Sequence, residues 1–173
     1  EDLTIMYPMY AKIGYIIVDN NAIYHNYYSR NSQRNLLFGY KFENIYNTFG
    51  TLKLVYDEYV KMGKLEEYYY ELEMLFIRNI FERVNNLSDS VTDKIYRYKF
   101  ISVLLDYLEF FFPDWNRNKY YLKGFKLGEI TDRLRIYRAR KIISKIQRKR
   151  VNLSLEEIYD KYIQIEKMYD KTK

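Results

Sequence analysis

The chain of 173 residues contains no cysteine and only one histidine. Without thiols there can be no disulfide framework, no thiolate zinc site and no cysteine nucleophile. A single imidazole also excludes a metal site built from several histidines. These absences remove most metal-hydrolase and thiol chemistry from the functions open to this chain.

Long apolar runs are lacking as well. The longest charge-free stretch near the start, residues 3–11, falls short of the ~18 to 20 apolar residues that a membrane-spanning helix requires. The sequence starts at Glu1-Asp2 without an initiator methionine, a basic leader or a cleavage site. We therefore expect it to be a piece of a longer protein.

Apolar residues are nevertheless abundant, because 48% of the chain is hydrophobic and 30% is charged. A chain of this composition and length can bury enough apolar surface to offset the entropy lost on folding. From about residue 41 onward the apolar positions recur with helical spacing, and Gly63 stands where a C-terminal cap is expected. Capping boxes starting at Ser90 and Ser154 predict two helix starts. Five helices are predicted, over residues 41–63, 65–86, 90–112, 129–150 and 154–169. The fourth is predicted to carry an apolar stripe of isoleucines and one alanine, Ile136, Ala139, Ile143 and Ile146. The fifth is predicted to turn four apolar residues inward, Leu155, Ile158, Tyr162 and Ile165.

The first forty residues have a different pattern. Residues 2–13 are predicted to be a helix that Pro8 either kinks or restarts, and Gly14 ends it. The β-branched run 15–19 and residues 22–28 are candidate strands. The predicted fold class is thus mainly α, a bundle of about five helices preceded by a short α/β remnant of one helix and two strands. We place the domain boundary between residues 1–40 and 41–173.

A family resemblance rests on two segments. The acidic pair Glu1-Asp2 starts the first helix, and the Tyr-rich segment 24–32 follows it. This arrangement resembles the C-terminal part of family 2 glycosyltransferases, nucleotide-sugar enzymes of the A-type fold. Residues 113–120, with Trp115 and Asn118, also resemble the tails of bacterial members of this group. The resemblance implies that residues 1–40 are the C-terminal edge of a catalytic domain and residues 41–173 its helical extension.

The resemblance also implies roles for four residues. Asp2 matches the catalytic base that takes the proton of an acceptor hydroxyl, and Glu1 would orient that acceptor. His25 and Arg30 would bind substrate, as contacts to the metal or to the diphosphate of the donor. The alternatives are that the acidic pair caps a helix, that His25 is a hydrogen-bonded structural residue and that Arg30 is solvated.

The implied substrates are a nucleotide sugar and a hydroxyl acceptor used in polysaccharide or glycoconjugate synthesis. A divalent metal, Mg²⁺ or Mn²⁺, would stabilise the leaving diphosphate of the full-length enzyme. The Asp-x-Asp motif that supplies its main ligands in this family does not occur in the sequence. We therefore expect this chain to be inactive alone. The intact enzyme is expected to be cytoplasmic.

The net charge of +6 comes from one segment, residues 133–150, which holds nine basic residues and no acidic residue. Three interpretations are open: a solvated helix face, non-specific nucleic-acid binding, or contact with an anionic membrane at the inner face of the cell. No specific nucleic-acid motif accompanies the charge. The alternative function is therefore a non-catalytic helical module that docks to an anionic membrane or partner. The residues predicted to face that membrane are Arg133, Arg138, Arg140, Lys141, Lys145 and Arg148.

Overall fold

A computed structural model describes residues 2–13, 43–123, 130–146, 148 and 151–171. The chain divides into two compact units, Glu1–Glu66 and Glu67–Lys173. Within the described ranges the secondary structure is helical and includes no strand. The prediction of a mainly α fold is therefore confirmed. The predicted strands 15–19 and 22–28 and the predicted domain boundary near residue 40 all lie outside the described residues.

The first unit contains helices α1, Asp2–Tyr10, and α2, Glu43–Lys61, which pack against each other. The hydroxyl of Tyr59 on α2 donates a 2.7 Å hydrogen bond to the backbone carbonyl of Tyr7 on α1. Helix α1 continues through Pro8 for two more residues and does not restart there. The structure thus groups α2 with α1, whereas the sequence pattern assigned α2 to the helical extension.

Gly63 ends α2 as predicted, at a φ of 67° that side chains other than glycine rarely adopt. The Gly63 amide donates to the Val60 carbonyl at 3.0 Å, and the Lys64 amide donates to the Tyr59 carbonyl at 2.9 Å. These two bonds form a Schellman motif, which satisfies carbonyls that the helix itself leaves without a partner.

The second unit is built on α3, Tyr69–Ser90, and α4, Lys94–Phe111, which pack together through aromatic and aliphatic side chains. Phe76 on α3 stacks on Tyr107 of α4 at a centroid distance of 6.2 Å, and both rings are fully buried. Helix α6, Ile130–Ile143, packs on α3, and α7, Leu155–Asp170, packs on α4. Each buried large side chain contributes about 1.5 to 3 kcal/mol, so this shared core dominates the stability of the unit.

The link between α4 and α6 begins with a 3₁₀ turn, Trp115–Arg117, and a short helix α5, Lys119–Lys123. Trp115 packs edge-on against Phe81 and Tyr121 at centroid distances of 5.7 and 5.6 Å. The link is therefore fixed to α3 by aromatic contacts. The sequence pattern predicted irregular structure here and did not predict α5.

Two predicted boundaries near the connection between α3 and α4 were wrong. Helix α3 does not fade at Asn85-Asn86 but continues to Ser90, where the Ser90 hydroxyl donates to the Asn86 carbonyl at 2.9 Å. The cap of α4 is Asp93, not Ser90, because its carboxylate accepts from the amides of Ile95 and Tyr96. A carboxylate in this position satisfies two donors of the first turn, which the more distant Ser90 cannot reach.

Helix α7 starts as predicted with a complete capping box. The Ser154 hydroxyl accepts from the Glu157 amide at 3.2 Å, and the Glu157 carboxylate accepts from the Ser154 amide at 2.6 Å. These hydrogen bonds lower the pKa of Glu157 below its ordinary value. Ile158, Tyr162 and Ile165 face the core, as the spacing indicated, whereas Leu155, also predicted inward, is only partly buried. In the described part of the chain, no helix is long and apolar enough to cross a membrane.

Candidate functional site: the basic helix

The basic segment forms helix α6, which ends at Ile143 and is therefore shorter than the predicted 129–150. One side of α6 packs on the bundle, where Ala139 is fully buried and Ile136 and Ile143 are partly buried. The buried amide of Asn85 on α3 donates a 2.9 Å hydrogen bond to the Arg135 carbonyl. The predicted isoleucine stripe thus lies toward the bundle, and the opposite side of α6 is exposed.

We call this exposed side the basic face and define it by Arg138 and Lys141 of α6 and by Lys145 in the turn after Ile143; all three residues are exposed. Arg138 forms a forked ion pair with Asp89 of α3, and both side chains are about half exposed. An ion pair with this exposure contributes little to stability and is screened by salt. The basic face therefore keeps a net positive charge beside one carboxylate.

Arg140 and Arg133 lie beside this face in different surroundings. The exposed Arg140 places its guanidinium carbon 4.9 Å from the centroid of the Tyr121 ring, a cation–π contact that links α6 to the segment after α4. Arg133 is partly buried, and its Nε has no hydrogen-bond partner in the described structure. Arg140 can still contribute its charge to the surface, whereas Arg133 is less accessible.

Arg148 points toward the bundle. Its guanidinium contacts Asp106 at 2.5 Å and also pairs with Glu109, and only 14% of the Arg148 side chain is exposed. Both carboxylates belong to α4. Arg148 is therefore an anchor for the connection between α6 and α7, and it is not positioned to meet a membrane as its sequence context had predicted.

Asp106 is the centre of this ion cluster. Its side chain is 3% exposed, and its second oxygen accepts from the Lys161 ammonium of α7 at 2.6 Å. A buried carboxylate needs such partners, because an unpaired buried charge is very costly. The sequence analysis did not predict this cluster. Its signal in the sequence was the pair Asp106 and Glu109, three residues apart in the otherwise apolar run of α4.

A second buried carboxylate, Glu73 on α3, lies beside the α4–α6 link and is 1% exposed. The Asn118 amide donates to Glu73 at 2.6 Å and to the Tyr70 carbonyl at 2.8 Å. Burial raises the pKa of Glu73, the hydrogen bond from Asn118 lowers it, and the nearby Asp114 raises it further.

The other side of Asn118 caps α5. Its side-chain oxygen accepts from the amides of Tyr120 and Tyr121 at 2.7 and 3.0 Å. Asn118 thus clamps the link to α3 and at the same time satisfies the first donors of α5. In this fold it performs a structural task, which accounts for its presence in the 113–120 segment.

The residues assigned to sugar transfer are only partly within the described structure. Asp2 is the first residue of α1, at the helix start that the sequence predicted. Glu1, His25, Arg30 and the side chain of Asp2 lie outside the described residues. The roles of these four residues in sugar transfer therefore stay predictions.

A shallow crevice of about 80 Å³ lies between α3 and α6, lined by Arg78, Phe81, Glu82, Arg135 and Ile136. Sites for cofactors and drug-sized ligands usually measure about 300 to 1,000 Å³, so this crevice is too small for a nucleotide sugar. Among the described residues, no group of three or more His, Cys, Asp or Glu could hold a metal ion.

No family model, curated protein or solved structure matches the chain. The function of the chain therefore has to be inferred from its own residues. Of the arrangements above, the basic face combines charge with exposure, whereas the two buried carboxylates are fully engaged within the bundle.

Proposed function

We propose that the unit Glu67–Lys173 is a docking module that binds an anionic membrane surface through the basic face of α6. The observation that carries this proposal is the exposure of Arg138 and Lys141 on the side of α6 opposite the buried Ala139, together with the exposed Lys145 just past the end of the helix. Helix packing on α3 fixes Arg138 and Lys141 on one surface. The protein would then be peripheral, at the inner face of the cell membrane.

The expected strength follows from the number of exposed cations. A basic residue close to an anionic leaflet contributes about 1 kcal/mol. The three residues of the basic face and the neighbouring Arg140 together supply about 4 kcal/mol, less the part offset by Asp89. Such binding is reversible and weakens as salt is added, because the Debye length shortens from about 10 Å at 0.1 M salt to about 3 Å at 1 M salt.

A charge-reversal experiment tests this proposal. The variant Lys141→Glu/Lys145→Glu reverses two exposed cations without touching Arg148, which anchors the fold. Lys167→Glu/Lys171→Glu is the matched control, because both of its lysines are exposed and its change in net charge is the same. Cosedimentation with vesicles of phosphatidylcholine and phosphatidylglycerol measures the partition of each variant between lipid and solution.

We expect the variant in the basic face to bind at least about 30-fold more weakly than the parent, since two favourable contributions of about 1 kcal/mol are lost. The control should bind nearly as well as the parent. Equal loss in both variants would mean that net charge alone drives binding. Undiminished binding by the α6 variant would remove the basic face from the function.

A second function rests on the sequence resemblance, and the helix that begins at Asp2 supports it. We propose that the complete protein is a family 2-like glycosyltransferase, of which this chain is the C-terminal part. Asp2 would act as the base toward a hydroxyl acceptor and Glu1 would orient that acceptor. His25 and Arg30 would bind the nucleotide-sugar donor. Docking at a membrane would suit an enzyme with a lipid-linked acceptor.

The test of this second function compares the chain with the full-length protein in assays of nucleotide-sugar hydrolysis and transfer, with Mg²⁺ or Mn²⁺ added. We expect turnover from the full-length protein only, and its loss in the full-length Asp2→Asn variant. Robust turnover by the 173-residue chain would contradict the assignment of this chain as an inactive part. An active Asp2→Asn enzyme would remove Asp2 from the chemistry.

A further inference from the structure

The outward side of α6 also exposes two large apolar side chains among its cations. Leu134 is 62% exposed and Tyr137 is 61% exposed. Residues three, four and seven apart lie on one side of a helix, so Leu134, Tyr137 and Lys141 share a surface with Arg138. Within the part of the chain that the structure describes, these two side chains stay exposed, because α6 packs on α3 through its other side.

Single exposed apolar residues are common on protein surfaces. These two differ in being neighbours within a cationic surface, on a helix whose packing side is already apolar. Helices that lie in a membrane interface combine these same features, with apolar side chains entering the leaflet and Lys or Arg around them. Tyrosine suits this boundary, because its ring is apolar and its hydroxyl reaches the headgroups.

We propose that Leu134 and Tyr137 insert into an anionic lipid leaflet while Arg138, Lys141 and Lys145 contact the lipid phosphates. This inference rests on the proposed docking function and names the groups that enter the lipid. Charge complementarity alone would allow a nucleic acid or an acidic protein as well. The exposed Leu134 favours the leaflet, since insertion removes its apolar surface from water.

The placement of these residues gives α6 a defined orientation. Leu134, Tyr137 and Lys141 are spread over two turns along one side of the helix, so α6 would lie parallel to the membrane surface. Helices bound in this way bury their apolar side about 5–10 Å into the boundary between headgroups and acyl chains. The outward side chains of α6 then reach the lipid while Ala139 stays packed in the bundle.

The first test measures binding of Leu134→Ser/Tyr137→Ser to vesicles of phosphatidylcholine and phosphatidylglycerol, at low and at high salt. We expect about tenfold weaker binding at both salt concentrations, because the apolar contribution is not screened. The matched control is Ile95→Ser/Met168→Ser, which replaces two exposed apolar residues of the same unit that lie on other helices. Circular dichroism checks that both variants keep their helices.

The second test places a fluorescent reporter at the proposed depth. Trp115 is the only tryptophan, so the Trp115→Phe background with Tyr137→Trp carries one reporter on α6. We expect a blue shift on vesicle addition and quenching by lipids brominated on their acyl chains. Ile95→Trp in the same background is the control, and we expect neither change there.

The outcomes separate this inference from the function it rests on. If the serine variant binds like the parent while Lys141→Glu/Lys145→Glu loses binding, the insertion of Leu134 and Tyr137 is overturned and electrostatic docking stands. If neither variant changes vesicle binding, both are overturned. If the parent binds a single-stranded RNA homopolymer or an acidic polypeptide in preference to vesicles, the lipid leaflet is overturned as the partner. Weaker binding together with acyl-chain quenching supports the inference.

Discussion

The substitution Arg148→Ala tests whether the last basic residue of the segment is an anchor or a surface charge. In the structure Arg148 joins the connection after α6 to Asp106 and Glu109 on α4. Among the described residues, removing the guanidinium leaves Asp106, with a 3% exposed side chain, paired with Lys161 alone. The bundle should therefore lose stability, even though the substituted residue belongs to a basic segment whose composition is typical of a solvent-exposed helix face.

The size of the loss can be bounded from the geometry. Removing one partner of a buried ion pair costs about 3 to 5 kcal/mol when the other charge is left alone. Lys161 remains within 2.6 Å of Asp106, and Glu109 is 17% exposed, so part of that cost is avoided. We expect a loss of about 2 to 3 kcal/mol for Arg148→Ala.

Arg138→Ala is the matched control. It removes an arginine from the same segment, but the Arg138–Asp89 pair is about half exposed on both sides. Such a pair contributes about 0 to 1 kcal/mol, so its removal should hardly change stability. The contrast between two arginines of one segment isolates the effect of burial.

Urea denaturation followed by tryptophan fluorescence is a suitable assay, because Trp115 is the only tryptophan and lies in the second unit. Arg148→Ala should lower the midpoint clearly more than Arg138→Ala. It should leave vesicle binding unchanged under conditions where the protein stays folded. Equal midpoints for the two variants, or a loss of lipid binding in folded Arg148→Ala, would refute the anchor role.

Three further substitutions test the carboxylate, the cap and the turn. Glu73→Gln should stabilise the bundle in urea at pH 7 and should give no gain below pH 4.5. Burial raises the pKa of Glu73 from 4.5, so the protein loses stability as the pH rises through the raised value and the buried carboxyl ionises. A gain in stability at low pH would contradict this. Ser154→Ala should cost about 1 kcal/mol by removing the α7 cap, and Ser154→Thr should restore most of it in the same assay. Gly63→Ala should lower the melting temperature seen by circular dichroism through a loss of about 1 kcal/mol, since its φ is positive; no change there would exclude strain at this turn.

The sequence by itself determined where the six longer helices lie and where several of them begin and end. Ser154 with Glu157 and Gly63 are local signals, because each acts on backbone groups within a few residues of itself. The spacing of apolar residues likewise placed Ile158, Tyr162 and Ile165 in the core. Patterns of this kind can be read in advance since their physical cause lies within one helix.

The sequence did not determine in the same way which charged residues are buried and paired. Arg138 and Arg148 belong to one basic run, yet one is half exposed and the other reaches two carboxylates on α4. The partners of Arg148 lie about forty residues away along the chain, and only packing brings them within 2.5 Å. Local propensity carries no information about such a distance.

The same distinction applies to the two sides of α6. The sequence identified an isoleucine stripe and a basic remainder, but packing on α3 decided that the stripe lies inward and that Leu134 and Tyr137 lie outward. A helix with apolar residues on more than one side has no unique buried side in its own sequence. The neighbouring helix makes that choice, because the buried side is the one that complementary packing removes from water.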